Sequence, residues 1–279
     1  MLLVAAAATT ACEQNAVQQI AGPAAGGVNV KFFNFSVGSP AVNFFVNDAK
    51  ATAVSATGCA ILDDTNRQQC LSTGLESTTG VVYGGAGNGA SAWYSDVAPG
   101  QVTIAGKIAA VTDKNLAISN IQTTVETGKF YSYYLSGIYD TAAKSTDSFI
   151  VEDVMPPSGD FTTSYVRFVN ASSTATGPMT LWLKERTTRD SLAIGGPVAY
   201  KSAGAFVAVP VRRPLPDSAG ITGRSAANSW DLAARYAGSP TAIFSRNQLS
   251  FGGGRAYTIT ARGNVAVTST MSLDNTANR

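Results

Sequence analysis

The chain has 279 residues, of which 45% are hydrophobic and 14% charged, with a formal net charge of +2 and no histidine. A chain of this length can bury a sizeable core, which argues against intrinsic disorder. The absence of histidine excludes Ser-His-Asp and Cys-His nucleophiles, histidine-ligated zinc or haem, and the H-E-x-x-H metalloprotease site. Low charge together with 27 glycines is typical of an all-β extracellular protein rather than a helical cytosolic enzyme.

The N-terminal segment, residues 1–27, has the pattern of an export signal followed by a tether. Leu2 to Ala8 form an apolar run that is too short to span a bilayer, and small residues precede Cys12. This arrangement resembles the lipobox of bacterial lipoproteins, which implies cleavage before Cys12 and lipidation of its thiol. Because no Lys or Arg precedes the apolar run, an N-terminal extension with an incidental cysteine is the alternative. Glu13 to Gly27 would hold a folded domain clear of a membrane.

Two cysteines remain once Cys12 carries lipid. Cys59 and Cys70 form an even pair, and a disulfide between them would close a short loop and contribute ~3 kcal/mol to stability. Such a bond requires an oxidising compartment, in agreement with export. The alternative is a pair of free, buried thiols.

The sequence contains two copies of one module, recognisable from three ordered matches. The first aligns residues 30–36 (VKFFNFS) with residues 166–172 (VRFVNAS). The other two align Val42, Phe44 and Val46 with Met179, Leu181 and Leu183, and Gly128, Lys129 and Tyr131 with Gly254, Arg255 and Tyr257. The repeat predicts two domains, residues 28–153 and 164–279, joined by a proline-bearing linker at residues 154–163.

Within each copy, side chains alternate with a period of two. Phe44 and Val46 alternate with Phe45 and Asn47, which indicates a half-buried strand. Gly, Asn, Asp and Pro interrupt such runs at short intervals and indicate tight turns. Residues 225–236 come closest to helical periodicity, and even there we expect a loop that leads into a strand. The pattern therefore predicts an all-β chain of two tandem antiparallel β-sandwiches, with about seven strands each.

The repeated motifs resemble a known family. V-R-F-V-N-A-S, then P-x-V-x-F-x-V, a Pro-Gly turn and G-K-x-Y together look like the family called domain of unknown function 4397, over most of residues 28–274. The resemblance implies immunoglobulin-like β-sandwiches in exported and lipid-anchored bacterial proteins, often in tandem. Two insertions depart from the family pattern, one at residues 59–70 and one at residues 212–229. The family brings no catalytic residues that could be carried over.

Without histidine, paired carboxylates are the main route to hydrolysis. The two candidates, Asp63-Asp64 and Glu152-Asp153, are adjacent in sequence, and neighbouring side chains in a strand point to opposite faces. We expect Asp63-Asp64 to lie in a solvated turn, since its spacing matches no EF-hand calcium loop. The glycine-rich segments lack the strand-to-helix context of a nucleotide loop. We therefore predict no catalytic residue, no metal and no cofactor.

The modest net charge hides an uneven distribution. Residues 28–153 hold seven Lys and Arg against eleven Asp and Glu, a net charge of −4, whereas residues 164–279 hold thirteen against five, a net charge of +8. Guanidinium groups suit bidentate contact with phosphate or carboxylate. The candidate anion-binding residues are Arg186, Arg189, Arg212, Arg213 and Arg224. They would bind an anionic envelope polymer or glycan, or a neighbouring surface protein; a solvated arginine-rich surface is the alternative.

Aromatic residues suggest a second contact surface. If Tyr131, Tyr133 and Leu135 face the core, Phe130 and Tyr134 point outward from the same strand. Such a pair could form an exposed contact that stacks on a sugar ring, or it could pack against another domain.

These observations together predict a lipid-anchored, extracytoplasmic protein of the bacterial cell envelope, held to the membrane through Cys12. Its two sandwiches would serve binding, adhesion or envelope structure without catalysis, and nucleic acid is not an expected partner. The alternative is a carboxylate-based hydrolase that acts on an envelope or extracellular polymer.

Overall fold

The computed structural model of the chain describes residues 27–52, 80–87, 94–157, 159–214 and 225–278. Within these ranges the regular structure is β-strand, with one short 3-10 turn at Thr268–Thr270 and no α-helix. The first half contributes nine strands: β1 (Val28–Asn34), β2 (Val42–Val46), β3 (Ala49–Lys50), β4 (Gly85–Ala86), β5 (Ser95–Val97), β6 (Gly100–Ile108), β7 (Ala117–Val125), β8 (Phe130–Asp140) and β9 (Ser145–Glu152). The second half contributes eleven: β10 (Thr163–Asn170), β11 (Met179–Glu185), β12 (Ser191–Val198), β13 (Ser202–Ala203), β14 (Val207–Pro210), β15 (Arg212–Pro214), β16 (Ser225–Ala227), β17 (Trp230–Tyr236), β18 (Ala242–Leu249), β19 (Ala256–Arg262) and β20 (Ser272–Ala277).

Each half forms one sandwich of two sheets. In the first half, strands β4-β1-β8-β9, with β5 also on β1, form what we call inner sheet 1, and β3-β2-β6-β7 form outer sheet 1. In the second half, β13-β10-β19-β20, with β14 on β10, form inner sheet 2, and β12-β11-β17-β18 form outer sheet 2. Strands β15 and β16 form a separate hairpin. The prediction of an all-β chain with two sandwiches is confirmed.

Strand pairing is antiparallel except at one place in each half. β1 runs parallel to β8, and β10 runs parallel to β19. Both strands of the first pair start at the same edge of the sheet. There the backbone NH of Gly128 donates to the carbonyl of Gly27 at 3.1 Å. The sheets are thus mainly antiparallel, as expected, with one parallel pair of strands in each half. Alternation of side chains has the same period in both kinds of sheet, so the sequence pattern does not distinguish them.

The two halves share the same register. Val30 lies opposite Tyr131, and the aligned Val166 lies opposite the aligned Tyr257. The turn that enters β8 and β19 is also repeated: Gly128 has φ 75° and Gly254 has φ 72°. Just before the strands, the Tyr131 hydroxyl accepts a hydrogen bond from Glu126 N at 3.2 Å, and the Tyr257 hydroxyl accepts one from Gly252 N at 2.9 Å.

The aligned Asn and Ser of the first motif, Asn34 and Ser36 in one copy and Asn170 and Ser172 in the other, form hydrogen bonds at the ends of β1 and β10. Asn34 Nδ2 donates to the Val81 carbonyl at 2.9 Å, and Asn170 Nδ2 donates to the Val198 carbonyl at 3.2 Å. The oxygen of the Asn170 amide accepts from Ser172 N at 3.1 Å, as in an Asx turn. The motif is therefore explained by backbone hydrogen bonding within the fold.

The sandwich cores lie between the outer and inner sheets. Phe32, Phe44 and Tyr133 are central to the first core, and Phe168 and Leu181 to the second. A third apolar cluster lies between the two inner sheets and joins the halves, with Phe33, Phe35, Tyr134 and Phe149 from the first half and Val169 and Ala171 from the second. The molecule is therefore a stack of four sheets, in the order outer sheet 1, inner sheet 1, inner sheet 2 and outer sheet 2.

Candidate functional site

The predicted exposed aromatic pair lies beside the boundary between the halves. Tyr134 is 0% exposed, and its ring stacks on Phe33 at 4.8 Å and on Phe149 at 5.0 Å. An exposed contact was the wrong expectation for Tyr134, because the second half covers the face of β8 that points away from the first core. Packing against another domain, the alternative, describes this residue. Phe130 is half-buried and meets the edge of the Tyr94 ring at 5.1 Å.

A group of polar side chains lies in the same interior. We call it the interdomain polar cluster; its members are Lys31, Tyr94, Ser132, Asp153, Arg167, Thr258 and Asn278. Lys31, Asp153 and Arg167 are each only 2% exposed. Charges buried to this degree are costly unless they are paired and hydrogen-bonded.

Asp153 is the acceptor at the centre of the cluster. Its carboxylate accepts hydrogen bonds from the Tyr94 hydroxyl at 2.7 Å, the Ser132 hydroxyl at 2.8 Å and the Asn278 amide at 3.2 Å. It also forms an ion pair with the Arg167 guanidinium. These four contacts come from both halves, so the carboxylate joins them.

The cluster has approximate twofold symmetry, because its members are equivalent positions of the repeat. Lys31 is equivalent to Arg167, and each reaches a carbonyl of the last strand of the other half: Lys31 Nζ donates to Ala277, and Arg167 Nη1 donates to Glu152 at 2.9 Å. Each cation also lies over an aromatic ring of its own half. Lys31 Nζ is 4.4 Å from the centre of the Tyr94 ring, and Arg167 Cζ is 4.9 Å from that of Phe206.

Burial changes the proton affinity of two members of the cluster. It lowers the pKa of Lys31 from 10.5 to about 8, an effect that Asp153 opposes and Arg167 reinforces. Burial, followed by the nearby Asp153 charge, raises the pKa of Tyr94 well above its usual range. Both shifts reflect the low polarisability of the protein around these groups.

Sequence reasoning missed this cluster. Glu152-Asp153 was considered only as a pair of adjacent carboxylates, and nothing in the sequence showed that the Asp153 side chain is buried and hydrogen-bonded. The available signal was the cation in the first motif: Lys31 and Arg167 occur at the same position of two otherwise apolar strands. A long-range partner for them could be found only from the tertiary structure.

A second pair of equivalent residues crosses the boundary at its rim. Tyr83 donates its hydroxyl to the Thr270 carbonyl of the second half at 2.6 Å. Tyr200, the equivalent residue, lies 2.8 Å from the Ser136 hydroxyl and 3.1 Å from the Asp147 carboxylate of the first half. These contacts extend the interface to both of its edges.

Two of the predicted anion-binding residues lie in one exposed turn. Arg186 and Arg189 belong to the turn between β11 and β12, and both are exposed. The Glu185 carboxylate, which is buried, accepts a hydrogen bond from Thr187 N at 2.6 Å and so holds the turn. Arg186 Nε is 3.8 Å from Asp231 Oδ1, a long contact that leaves the guanidinium partly exposed.

The β15–β16 hairpin starts next to this turn. Arg212 and Arg213 lie on β15, opposite Ala227 and Ala226. Arg186 N donates to the Ser229 carbonyl at 2.9 Å, and Asn228 N donates to the Val211 carbonyl at 2.9 Å. The structure therefore brings the backbones of the turn and of the hairpin base to one end of the second sandwich, which we call the arginine end (Arg186, Arg189, Arg212 and Arg213).

The remaining predicted site residues lie outside the described residues. These are Cys12, proposed to carry lipid, Cys59 and Cys70, proposed to form a disulfide, and Arg224. In the part of the chain that the structure describes, no helix is long and apolar enough to cross a membrane.

Comparison with known proteins gives only distant structural matches. No family model matches the chain, and no curated protein matches it. Among solved structures, a "putative cell adhesion protein" from Bacteroides ovatus ATCC 8483 is 14% identical, over 92% of this chain and 97% of that chain, with a TM-score of 0.20. A TM-score this low assigns neither a common fold nor a common function.

Proposed function

We propose that the chain is a lipid-anchored, extracytoplasmic bacterial protein whose two sandwiches act as one rigid binding body without catalysis. It would hold an anionic envelope polymer at the arginine end. The observation that carries this proposal is the position of Arg186 and Arg189 in one exposed turn, beside the base of the hairpin that bears Arg212 and Arg213. Guanidinium groups bind phosphate and carboxylate in bidentate geometry.

The distribution of charge supports this choice of surface. Residues 164–279 carry a net charge of +8, and residues 28–153 carry −4. A positively charged end raises the local concentration of a polyanion and speeds its association. The buried interdomain polar cluster supports the rigid-body part of the proposal, because the halves cannot separate without exposing paired charges.

Polyphosphate is a suitable probe for the arginine end, because it is a polyanion without sugar rings. We expect the Arg186→Glu/Arg189→Glu variant to bind it about tenfold more weakly than the wild type in low-salt titration calorimetry. The matched control is Lys114→Glu/Lys144→Glu, which makes the same charge change in turns of the first half. Equal losses in the two variants would show that only net charge matters and would contradict the proposed site.

The anchoring part of the proposal has its own measurement. Mass spectrometry of the membrane fraction should report lipid on Cys12 and a bond between Cys59 and Cys70. Chain that carries an unmodified Cys12 in that fraction would contradict the lipid anchor.

A further inference from the structure

Each outer sheet carries an aromatic ring with a cation over it. On outer sheet 1, Lys107 Nζ lies 4.6 Å from the centre of the Phe45 ring. On outer sheet 2, Arg235 Cζ lies 5.8 Å from the centre of the Trp182 ring. Neither ring belongs to a sandwich core or to the apolar cluster between the halves.

The two pairs occupy equivalent positions of the repeat. Phe45 lies opposite Ala105 on β6, and Trp182 lies opposite Ala233 on β17. The cation follows two positions after that alanine in both sheets, at Lys107 and Arg235. The aromatic residue is Phe in the first half and Trp in the second, and the cation is Lys in the first half and Arg in the second. Both halves therefore have an aromatic residue, a small neighbour and a cation at the same positions. Core packing does not require this combination, because these side chains point away from the cores.

The surface beside the first pair is a polar depression. It has a volume of about 470 Å³, and its polar lining includes Asn47, Thr103, Lys107, Asn115 and Asn120. Lys107 also forms a salt bridge at 2.7 Å with Asp48, whose side chain is 90% exposed. The Lys107 side chain is itself 18% exposed, so a ligand carboxylate would compete with Asp48 for its ammonium group.

We propose that these two surfaces are equivalent binding sites for an acidic polysaccharide. The solvent-facing part of the Phe45 or Trp182 ring would stack on the apolar face of a pyranose. Lys107 or Arg235 would pair with the carboxylate of a uronate unit. At the first site, amide and hydroxyl groups of the depression would also bind the sugar hydroxyls. This inference goes beyond the arginine end and does not depend on a lipid anchor.

The position of the sites determines what binding would do. The two outer sheets are the first and last of four stacked layers, so their solvent faces point in opposite directions and lie roughly 30 Å apart at about 10 Å per layer. One polysaccharide strand cannot lie flat on both faces. A single molecule would therefore cross-link two strands.

Alginate, a polymer of uronate units, is the probe. Titration calorimetry measures its affinity and stoichiometry, and light scattering measures cross-linking. Dextran serves as the sugar without charge, and polyglutamate as the carboxylate polymer without a ring. We expect the wild type to bind alginate about tenfold more tightly than either control polymer and to cross-link it. Equal binding of alginate and polyglutamate would overturn the proposal, because charge alone would then explain the affinity.

Variants separate the two sites. In the Arg186→Glu/Arg189→Glu background, which removes binding of polyanions at the arginine end, Phe45→Ala and Trp182→Ala should each halve the number of alginate sites and abolish cross-linking, while the remaining site keeps its affinity. The double variant should lose about tenfold or more in affinity. Phe161→Ala is the matched control, since that ring is 76% exposed and lies in the linker. Unchanged cross-linking by the double variant would refute the paired sites.

Two further variants keep the test independent of folding and of the arginine end. Lys107→Gln/Arg235→Gln leaves both rings in place and should remove the preference for alginate over dextran. Arg186→Glu/Arg189→Glu should still cross-link alginate, even though it loses polyphosphate. Loss of alginate binding in that variant would instead place the polysaccharide at the arginine end and overturn the paired sites.

Discussion

A single carboxylate, Asp153, serves two buried cations in the interior of the molecule. Arg167 forms an ion pair with it. Lys31 lies close enough for the negative charge of Asp153 to raise the pKa of Lys31, against the effect of burial. The equivalent position in the second half is occupied by Asn278, whose amide donates to the Asp153 carboxylate at 3.2 Å. The same position of the repeat is thus a carboxylate in the first half and a neutral amide in the second. The cluster therefore contains one carboxylate, although the repeat has two equivalent positions for one.

Removal of that carboxylate should be strongly destabilising. We expect Asp153→Asn to lower the free energy of unfolding by about 3–5 kcal/mol, because it leaves two buried cations without a counter-charge. Asp153→Asn/Asn278→Asp moves the carboxylate to the equivalent position, and should recover part of the loss. Urea denaturation measures both variants. If the double variant is no more stable than Asp153→Asn, the cluster does not have the symmetry described above.

Lys31 should make stability depend on pH in an alkaline window. Its pKa is about 8 in the folded chain and 10.5 when unperturbed, so unfolding takes up a proton between these values. Stability should therefore rise with pH across that window, by at most about 1.4 kcal/mol per pH unit. Above about pH 10 the raised pKa of Tyr94 acts in the opposite direction. Denaturation of the wild type and Lys31→Met at pH 8, 9 and 10 checks this; equal slopes in the two proteins would contradict it.

At the scale of strands, the alternating pattern predicts the inward face and leaves the outward face undetermined. Tyr131, Tyr133 and Leu135 of β8 all point into the first core, as expected. The opposite face of the same strand was expected to be exposed, and Tyr134 is buried there because another sheet covers it. Residues 225–236, where a loop that leads into a strand was expected, fold as a short strand at Ser225–Ala227 followed by the strand Trp230–Tyr236. The period of a strand predicts which side chains share a face. It does not predict whether other sheets cover one face of the strand or both.

At the scale of the whole molecule, the halves share one interior. The apolar cluster between the inner sheets contains residues of both, and the polar cluster beside it pairs charges across the boundary. Neither sandwich can unfold without exposing part of the other. This arrangement explains why β1 and β8, which would have one solvent face in a lone sandwich, are buried on both.

We therefore expect the folded part of the chain to unfold in one calorimetric transition, with calorimetric and van't Hoff enthalpies in a ratio close to one. Tyr134→Ala should open a cavity between the sheets and lower stability by about 3–5 kcal/mol. Val111→Ala, at a side chain that is 81% exposed, is the control and should change little. Two separate transitions in the wild-type protein would show that the halves are independent.

The sequence by itself determined the all-β class, the repeat and the inward face of single strands such as β8, because these follow from short-range alternation and from turns that local residue types specify. Only the tertiary structure decided that β1 and β8 run parallel, that Tyr134 is buried, and that Lys31, Asp153 and Arg167 meet. Those outcomes depend on how strands and halves pack in three dimensions, and some of the contacts join residues more than two hundred positions apart, as between Lys31 and Ala277. A surface that packs on another copy of the same module shows the same local pattern as one that faces water.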